Sequence, residues 1–253
     1  MSLAALVFDV DGTLAETEEL HRQSFNKAFT AAGLPWHWDK ALYARLLEVT
    51  GGKERIAHWI EGHNARPALD TAGIARLHAD KTTRYAALLA GGSLPLRPGV
   101  LRLLDEAQAT GLLVAIATTT SMPNVAALLH ASLGASALSR FAVIAAGDVV
   151  PAKKPAPDVY ELVLDRLGLL PEQCVAVEDT VNGLRSATGA GIPTIITTSL
   201  YGGTRGFEGA LAVVDHLGEP DQPCRVLQGP ALPKPIVNLA GIKKWLPSSG
   251  DGR

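Results

Sequence analysis

Acidic, hydroxyl-bearing and basic side chains follow four apolar segments of this sequence, near the point where each segment ends. In chain order these side chains are Asp9, Asp11, Thr118, Thr119, Lys154, Glu178 and Asp179. Each one alone is typical of a turn, a helix cap or a solvated charge pair. Because ligands bind at the carboxyl ends of the strands in open α/β sheets, their succession along the chain indicates a single site.

The chemistry that these groups could perform is the transfer of a phosphoryl group. Such catalysis depends on positioning and on stabilisation of dispersed negative charge. Asp9 could attack phosphorus and form an aspartyl-phosphate. Asp11 could protonate the leaving alkoxide and then deprotonate the hydrolytic water. Lys154 and the Thr118 hydroxyl would bind the phosphate, and we assign Thr119 to substrate binding beside them.

Several carboxylates that face a phosphate repel one another and the substrate, so a cation is needed at such a site. Mg²⁺ prefers oxygen ligands and retains several waters, which suits this donor set. We therefore predict Mg²⁺ as the cofactor. Its predicted ligands come from Asp9, the Asp11 carbonyl, Glu178 and Asp179.

Six short apolar segments of β type position these groups, and helical patterns lie between most of them. The predicted strands are Ala4–Val10, Leu112–Ala117, Phe141–Ala145, Cys174–Val177, Thr194–Thr197 and Ala212–Val214. The predicted helices are Val100–Thr110, Pro123–Leu133, Asp158–Leu167 and Asn182–Ala190. Short apolar strands that alternate with helices are typical of a parallel sheet covered on both faces. We predict a doubly wound, Rossmann-like α/β core.

One long segment, residues 15-96, interrupts this alternation because it is helical in character throughout. Its position directly after the first strand predicts an all-helical cap over the strand ends. The predicted domains are a catalytic core of residues 1-14 and 97-253 and a cap of residues 15-96. The predicted linkers are Leu14–Thr17 and Gly92–Pro98. An independent helical domain is the alternative, but both ends of the segment return to the α/β pattern.

The chain changes character after Leu217, where several prolines exclude a long helix and a central strand. We predict that this part is an extended strap across the core. A short apolar anchor is predicted around Ile236–Leu246.

The composition argues against several classes of function. The formal net charge is −2 and the chain has no dense basic block, so we predict no nucleic-acid partner. No apolar run approaches the roughly 20 residues of a membrane-spanning helix, and the N-terminal residues do not resemble a signal peptide. Two cysteines, Cys174 and Cys224, are too few for a disulfide framework and fit a reducing compartment.

Four motifs, taken in order, resemble those of the haloacid dehalogenase superfamily. They are Asp9–Leu14, Thr118, Lys154–Asp158 and Glu178–Gly183. The resemblance covers the chain from about residue 4 to residue 215. A helical insertion between the first two motifs is similar to the C1-type cap. The subfamily with that cap includes β-phosphoglucomutase and many sugar-phosphate phosphatases.

Within this subfamily the sequence resembles the CbbY type of Calvin-cycle bacteria and chloroplasts. The likeness lies in Glu16–His21, Trp36–Trp38, Thr50–Arg55 and the strap near Trp245. It implies hydrolysis of xylulose-1,5-bisphosphate, a compound that inhibits Rubisco. It also implies a bacterial cytoplasm or, for a mature plant or algal form, the chloroplast stroma.

A sugar bisphosphate has a second phosphate far from the metal, so we expect the cap to offer cations. Lys53 and Arg55 are candidates because they follow the flexible pair Gly51-Gly52, which permits close approach to a ligand. Resemblance to family positions near the substrate adds Glu16, His21 and Lys81.

Two other functions are compatible with these residues. A sugar phosphomutase similar to β-phosphoglucomutase would use the same Asp9 and Asp11 but would shield the aspartyl-phosphate from water. A non-catalytic sugar-phosphate-binding protein would have the same fold without the activity. Against this alternative, every charged catalytic position is filled. We predict a monomer that hydrolyses a small sugar bisphosphate through an aspartyl-phosphate on Asp9.

Overall fold

A seven-stranded sheet forms the centre of the molecule. The computed structural model describes residues 2–92 and 94–246. The strands are β1 (Ala5–Phe8), β2 (Leu113–Thr118), β3 (Val143–Ala146), β4 (Cys174–Glu178), β5 (Thr194–Thr197), β6 (Ala212–Val214) and β7 (Val226–Gln228). Their order is β3-β2-β1-β4-β5-β6-β7, with β7 antiparallel to β6 and the other pairs parallel. Because β1 lies between β2 and β4, the crossovers reverse direction beside it, which is where ligands bind in such sheets.

Nine α-helices accompany the sheet within the described ranges. They are α1 (Glu18–Ala31), α2 (Lys40–Leu46), α3 (Gly52–Gly62), α4 (Thr71–Ala90), α5 (Val100–Thr110), α6 (Met122–Leu133), α7 (Asp158–Leu167), α8 (Val181–Gly189) and α9 (Leu239–Trp245). Alternate residues of β1 face opposite sides of the sheet. Leu6 and Phe8 pack in the core that includes α5, α6 and α9, whereas Ala5 and Val7 pack in the core that includes α7 and α8.

The first four helices form a cap with a hydrophobic core of its own. Its centre consists of the buried aromatic side chains Phe25, Phe29, Trp38 and Tyr43. No strand lies between β1 and β2 in the described ranges 2–92 and 94–246. Ser93, in the second predicted linker, lies outside these ranges, and the predicted domain boundaries stay predictions.

The strap after Leu217 contains two elements that the sequence did not predict individually. These are the edge strand β7 and the helix α9, which falls within the predicted anchor. An edge position agrees with the exclusion of a central strand by the prolines. Arg102 attaches the strap to α5, because its guanidinium donates to the carbonyl oxygens of Leu217, Gly218 and Val237. Residues 247–253 of the predicted strap lie outside the described ranges.

The predicted fold class is confirmed. All six predicted strands are present, and α5 and α7 begin and end at the predicted residues. Gly111 and Gly168 end these two helices in the left-handed conformation, where glycine has no steric penalty. Within the part of the chain that the structure describes, no helix is both long and apolar enough to cross a membrane.

Gly99 and Gly111 flank α5 and form a matched pair for a stability test. Both have positive φ, but a Cβ on Gly99 would lie 2.6 Å from the Gly218 carbonyl oxygen of the strap, whereas a Cβ on Gly111 meets nothing within 4 Å. We predict that Gly111→Ala lowers the unfolding free energy by about 1 kcal/mol, through left-handed strain alone. Gly99→Ala should lower it by about 3 kcal/mol, because overlap with the strap adds to that strain. Urea denaturation measures both, and equal losses would contradict the predicted contact between α5 and the strap.

Candidate active site

Asp9 lies directly beyond the end of β1, in a tight loop at the carboxyl edge of the sheet. Its backbone N–H donates to the Val177 carbonyl of β4 at 3.0 Å, which continues the pairing of the two strands by one residue. Gly12, in the same loop, has a φ of +81°, and a Cβ there would lie 2.1 Å from Asp179 Oδ2. The loop therefore requires glycine both for its conformation and for its contact with Asp179.

Lys154 is the cation beside Asp9. Its Nζ donates to Asp9 Oδ1 at 2.7 Å, to Glu178 Oε1 at 2.5 Å and to the Ala117 carbonyl at 2.9 Å. Burial acts to lower the pKa of Lys154, but the two carboxylates outweigh it and raise that pKa. The neighbouring Lys153 turns away and pairs with Asp148. Of the two lysines, Lys154 is the one that contacts the predicted nucleophile.

Three buried carboxylates converge at this point. One oxygen of each of Asp9, Glu178 and Asp179 lies within 4.8 Å of the others. Burial raises the pKa of Asp9 to about 8, although Lys154 acts in the opposite direction. Burial and the neighbouring carboxylate of Asp9 raise the pKa of Asp179 well above its ordinary value. The surroundings therefore stabilise the ionised forms of these two carboxylates poorly.

The oxygen donors of this cluster fit a hard divalent cation. Asp179 Oδ2 accepts a hydrogen bond from Ser199 Oγ at 2.5 Å, but the buried Oδ1 has no partner within the described structure. Glu178 Oε1 already accepts hydrogen bonds from Lys154 and from Tyr160 Oη. Asp11 Oδ1 is bonded to Thr17 and His21, so the backbone carbonyl of Asp11 is its more suitable donor to a metal. Asp9 and Asp179 are therefore the carboxylates best suited to bind the metal directly.

Asp11 is linked to the cap by a chain of hydrogen bonds. Its Oδ1 accepts from Thr17 Oγ1 at 2.5 Å and lies 2.9 Å from His21 Nε2. His21 Nδ1 lies 2.6 Å from Lys81 Nζ, and the His21 ring stacks on Tyr85. We assign the imidazole proton to Nε2, facing Asp11, because an ammonium group has only donors and Nδ1 must then accept. Burial acts to raise the pKa of Asp11, but His21 and Thr17 outweigh it and lower that pKa.

Hydroxyl groups at the end of β2 provide a place for a phosphate. Thr118 is buried, and Thr119 lines the same cavity as Asp9. The N-terminus of α6 follows, with Ser121 at its N-cap position but without a side-chain capping bond. Uncapped amides at a helix N-terminus favour anions. Together with the Lys154 ammonium, this end of the cavity can bind a phosphate group.

The cap closes over these residues and leaves a cavity of about 360 Å³. Lys53 of α3 pairs with Asp148 of the core at 2.5 Å, which connects the two parts across the opening of the cavity. Asn182 of the core donates to the Glu48 carbonyl and to Thr50 Oγ1 of the cap. The cavity-lining cations and histidines of the cap are His21, Lys53, Arg55, His78 and Lys81.

The predicted substrate-binding residues fall into two groups. His21, Lys53, Arg55, Lys81 and Thr119 line the cavity. Glu16 does not line the cavity. Its carboxylate lies 3.2 Å from Arg97 Nε instead. Arg55 lines the cavity, but its guanidinium donates to the Leu46 and Val49 carbonyls of the cap. These two residues therefore have structural partners that the sequence did not indicate.

Several residues of the site were not predicted from the sequence. They are Thr17, His78, Asp148, Tyr160 and Ser199. Ser199 could have been found by the rule applied to the first four strands, because it follows the fifth strand at the same edge of the sheet. Asp148 also follows a strand, β3, at that edge. Thr17 lies six residues after Asp11 in a predicted linker, whereas His78 and Tyr160 reach the site through contacts between distant parts of the chain, which no local pattern identifies.

The chain is similar in sequence and structure to known hydrolases. The model of the haloacid dehalogenase-like hydrolase family matches residues 3–191. Over 246 residues the chain is 49% identical to "Protein CbbY, plasmid" of Cupriavidus necator, with 96% of each protein covered. It is 30% identical over 215 residues to a phosphorylated carbohydrates phosphatase of Thermotoga maritima, covering 84% of this chain and 94% of that protein.

A solved structure extends this similarity. A mutant CbbY from Rhodobacter sphaeroides, in complex with xylulose-(1,5)bisphosphate, matches with a TM-score of 0.82 and 49% identity. The match covers 85% of this chain and 94% of that one. These matches confirm the family resemblance that the motifs indicated.

Lys81 provides a test of the electrostatics of the cavity. Burial lowers its pKa from 10.5 to about 7, so between these values the unfolded chain binds more protons than the native chain. The cost of burying this lysine is therefore complete below about pH 7 and disappears as the pH approaches 10.5. We predict that Lys81→Met raises the unfolding free energy by about 2 kcal/mol near pH 7 and by less near pH 9.

The control is Lys27→Met, which replaces an exposed lysine inside α1. It should change the unfolding free energy by less than about 0.5 kcal/mol at either pH. Urea denaturation at the two pH values gives the comparison. A gain for Lys81→Met that did not decrease with rising pH would contradict the assignment of its cost to a buried charge.

Proposed function

We propose that this chain, a phosphatase that belongs to the haloacid dehalogenase-like hydrolase family, hydrolyses a small sugar bisphosphate, with xylulose-1,5-bisphosphate favoured. The main support from the site is Asp9, which lies with Lys154 at one end of a cavity whose cap side offers cations. The support for the sugar is the 49% identity to a CbbY that binds xylulose-1,5-bisphosphate. We also propose a monomer in a bacterial cytoplasm or, for a plant or algal form, in the stroma.

Mg²⁺ is the proposed cofactor, and Asp9, Asp179 and the backbone carbonyl of Asp11 are the proposed ligands. Glu178, which the sequence also suggested as a ligand, is better placed to orient Lys154, since one of its oxygens already accepts two hydrogen bonds. When bound, the metal would neutralise the clustered carboxylates and polarise a phosphate oxygen. The unpartnered Asp179 Oδ1 supports this assignment.

Asp9 is the proposed nucleophile. In the first step a carboxylate oxygen of Asp9 bonds to phosphorus, the bond from phosphorus to the sugar oxygen breaks, and that oxygen takes the electron pair. Asp9 must be ionised to attack, whereas burial raises its pKa to about 8. The Lys154 ammonium, 2.7 Å away, favours the ionised form and can also contact a phosphate oxygen.

Asp11 is the proposed general acid and base. As an acid it gives a proton to the leaving sugar oxygen, and as a base it removes a proton from the water that attacks the aspartyl-phosphate. Water then takes the phosphoryl group, and Asp9 is regenerated. The hydrogen bonds from Thr17 and His21 favour the ionised Asp11, which is the form that the second step needs. Both donors lie on the cap side of the site, so closure of the cap favours the ionised form of Asp11 that acts as the base.

The second phosphate is proposed to lie at the cap end of the cavity. Lys53, Arg55 and Lys81 line this end, and the first turn of α3 has no side-chain cap. His78 lies beside them, with its Nε2 2.4 Å from the position of a Cβ on Gly52. Since burial lowers the pKa of His78 to about 4, its ring is neutral near pH 7 and can donate one hydrogen bond.

The substrate is tested by phosphate release, with Mg²⁺, from a panel of sugar phosphates. The panel contains xylulose-1,5-bisphosphate, its two monophosphates and β-glucose-1-phosphate. We predict the highest kcat/KM for the bisphosphate, because only it can use the cations of the cap. Asp9→Asn should lose nearly all activity while keeping its thermal unfolding temperature, since the side chain keeps its size but not its nucleophile.

Other results of the panel would contradict parts of this proposal. Conversion of β-glucose-1-phosphate to the 6-phosphate, without release of phosphate, would show a mutase. Equal activity on the monophosphates would show that the cap cations do not bind a second phosphate during catalysis. Full activity of Asp9→Asn would exclude the covalent mechanism, and inactivity on every member with intact folding would favour a binding protein.

The metal site is tested by thermal unfolding rather than by activity. Mg²⁺ at about 100 times its dissociation constant should stabilise the native chain by about 2.7 kcal/mol, because it binds the native state alone. We predict that Asp179→Asn loses the resulting rise in unfolding temperature. The control Asp165→Asn, at an exposed position in α7, should keep it. An unchanged Mg²⁺ shift in Asp179→Asn would exclude Asp179 as a ligand.

A further inference from the structure

Arg97 is a buried arginine in the second cap linker, and it does not line the cavity. Its guanidinium nevertheless bonds to several acceptors of the core. It donates to the carbonyl oxygens of Gly12, Thr197, Thr198 and Asp215 and to Thr197 Oγ1. These acceptors follow or end three strands, β1, β5 and β6, at the carboxyl edge of the sheet, where β4 lies between β1 and β5.

The contact with Gly12 connects Arg97 to the predicted nucleophile. Gly12 belongs to the same loop as Asp9 and packs directly on Asp179, where a Cβ would lie 2.1 Å from Oδ2. On the opposite side Thr198 precedes Ser199, whose Oγ donates to the same Asp179 oxygen at 2.5 Å. Arg97 therefore bonds both to the Gly12 loop and to the segment Thr198-Ser199. The Asp179 carboxylate lies between these two segments.

Both cap linkers also meet at Arg97. Its backbone N–H donates to the Leu14 carbonyl of the first linker at 2.8 Å. Its side chain lies 3.2 Å from Glu16, in the same linker, and the second Glu16 oxygen accepts from the Leu200 N–H. The beginning and the end of the cap are thus attached to the core at one residue.

The chemistry of this position requires arginine. Burial lowers the pKa of Arg97, and the nearby carboxylate of Glu16 acts against that effect. A planar guanidinium has five N–H donors in a rigid arrangement, so it can bond to acceptors on several strands at once. A lysine ammonium at the same position could not reach the acceptors of β1 and β6 together.

We propose that Arg97 is a positioning residue for phosphoryl transfer. It holds the Gly12 carbonyl so that the nucleophile loop stays packed on Asp179, and it thereby keeps the reacting oxygen of Asp9 in place. It also provides the common attachment point of the two cap linkers. This inference rests on the proposed role of Asp9 as nucleophile, but it does not depend on which sugar is the substrate.

Arg102 is a matched control within the same chain. Its guanidinium also donates to backbone carbonyls, namely those of Leu217, Gly218 and Val237, and it lies in the first turn of α5, five residues after Arg97. It makes no contact with the nucleophile loop or the linkers in the described structure. Loss of Arg102 therefore removes comparable carbonyl contacts without disturbing the site.

The experiment compares Arg97→Met, Arg97→Lys and Arg102→Met by kcat, KM and thermal unfolding, with Mg²⁺ present. Activity is measured on xylulose-1,5-bisphosphate and on p-nitrophenyl phosphate, a small ester that needs no sugar recognition. We expect Arg97→Met to lower kcat about 10²-fold on both substrates, the loss that misplacement of a reacting group by about 1 Å causes. Arg97→Lys should lower kcat about tenfold. Arg102→Met should lower the unfolding temperature and leave kcat within about twofold.

The outcomes separate a positioning role from a merely structural one. If Arg97→Lys and Arg97→Met keep kcat within about twofold of the native value and lose only thermal stability, as Arg102→Met does, the proposal is overturned. If Arg97→Met does not fold, the kcat of Arg97→Lys decides the question by itself. Activity of Asp9→Asn, or a preference for another sugar, would revise the proposed function, whereas the ratio of variant to native kcat tests Arg97 alone.

Discussion

The clustering of three buried carboxylates around one lysine is the constraint on which the rest of the site depends. Burial disfavours ionisation of Asp9 and Asp179 and raises their pKa values, and the neighbouring carboxylates add to this effect. Lys154 offsets part of the charge, and Tyr160 and Ser199 each donate to one of the carboxylates. The cluster is costly to bury, and the proposed divalent cation would offset that cost.

The parallel sheet is what brings this charge together. Asp9, Thr118 and Glu178 follow or end β1, β2 and β4, and these strands are adjacent, so their carboxyl ends meet at one edge. Glycines allow the last approach: a Cβ on Gly12 would overlap Asp179, and a Cβ on Gly183 would lie 1.9 Å from Glu178 Oε2. The carboxylates can approach each other because these two glycines have no Cβ that would occupy the space.

The cap contributes to the same site through contacts of two kinds. Buried contacts join Asp11 to His21 and Lys81, and these need a closed cap to form. Exposed contacts, such as Lys53 with Asp148, connect the cap to the core at the opening of the cavity. Exposed ion pairs of this kind contribute little free energy and are screened by salt, so they permit the opening that substrate entry requires.

The sequence alone determined six of the seven strands, the helical cap and the residues at the first four strand ends, because each of these depends on local periodicity or on a short motif. The fold class and the family could be predicted for the same reason, and the placement of Asp9, Lys154 and Asp179 followed from the topology of the sheet. Only the tertiary structure decided that Glu16 pairs with Arg97, that Lys53 pairs with Asp148 across 95 positions of the chain, and that β7 forms an edge strand. Long-range pairs leave no local pattern, and β7 is a short, largely exposed strand without the buried apolar run that identified β6. Their partners are chosen by packing, which no single segment of the sequence contains.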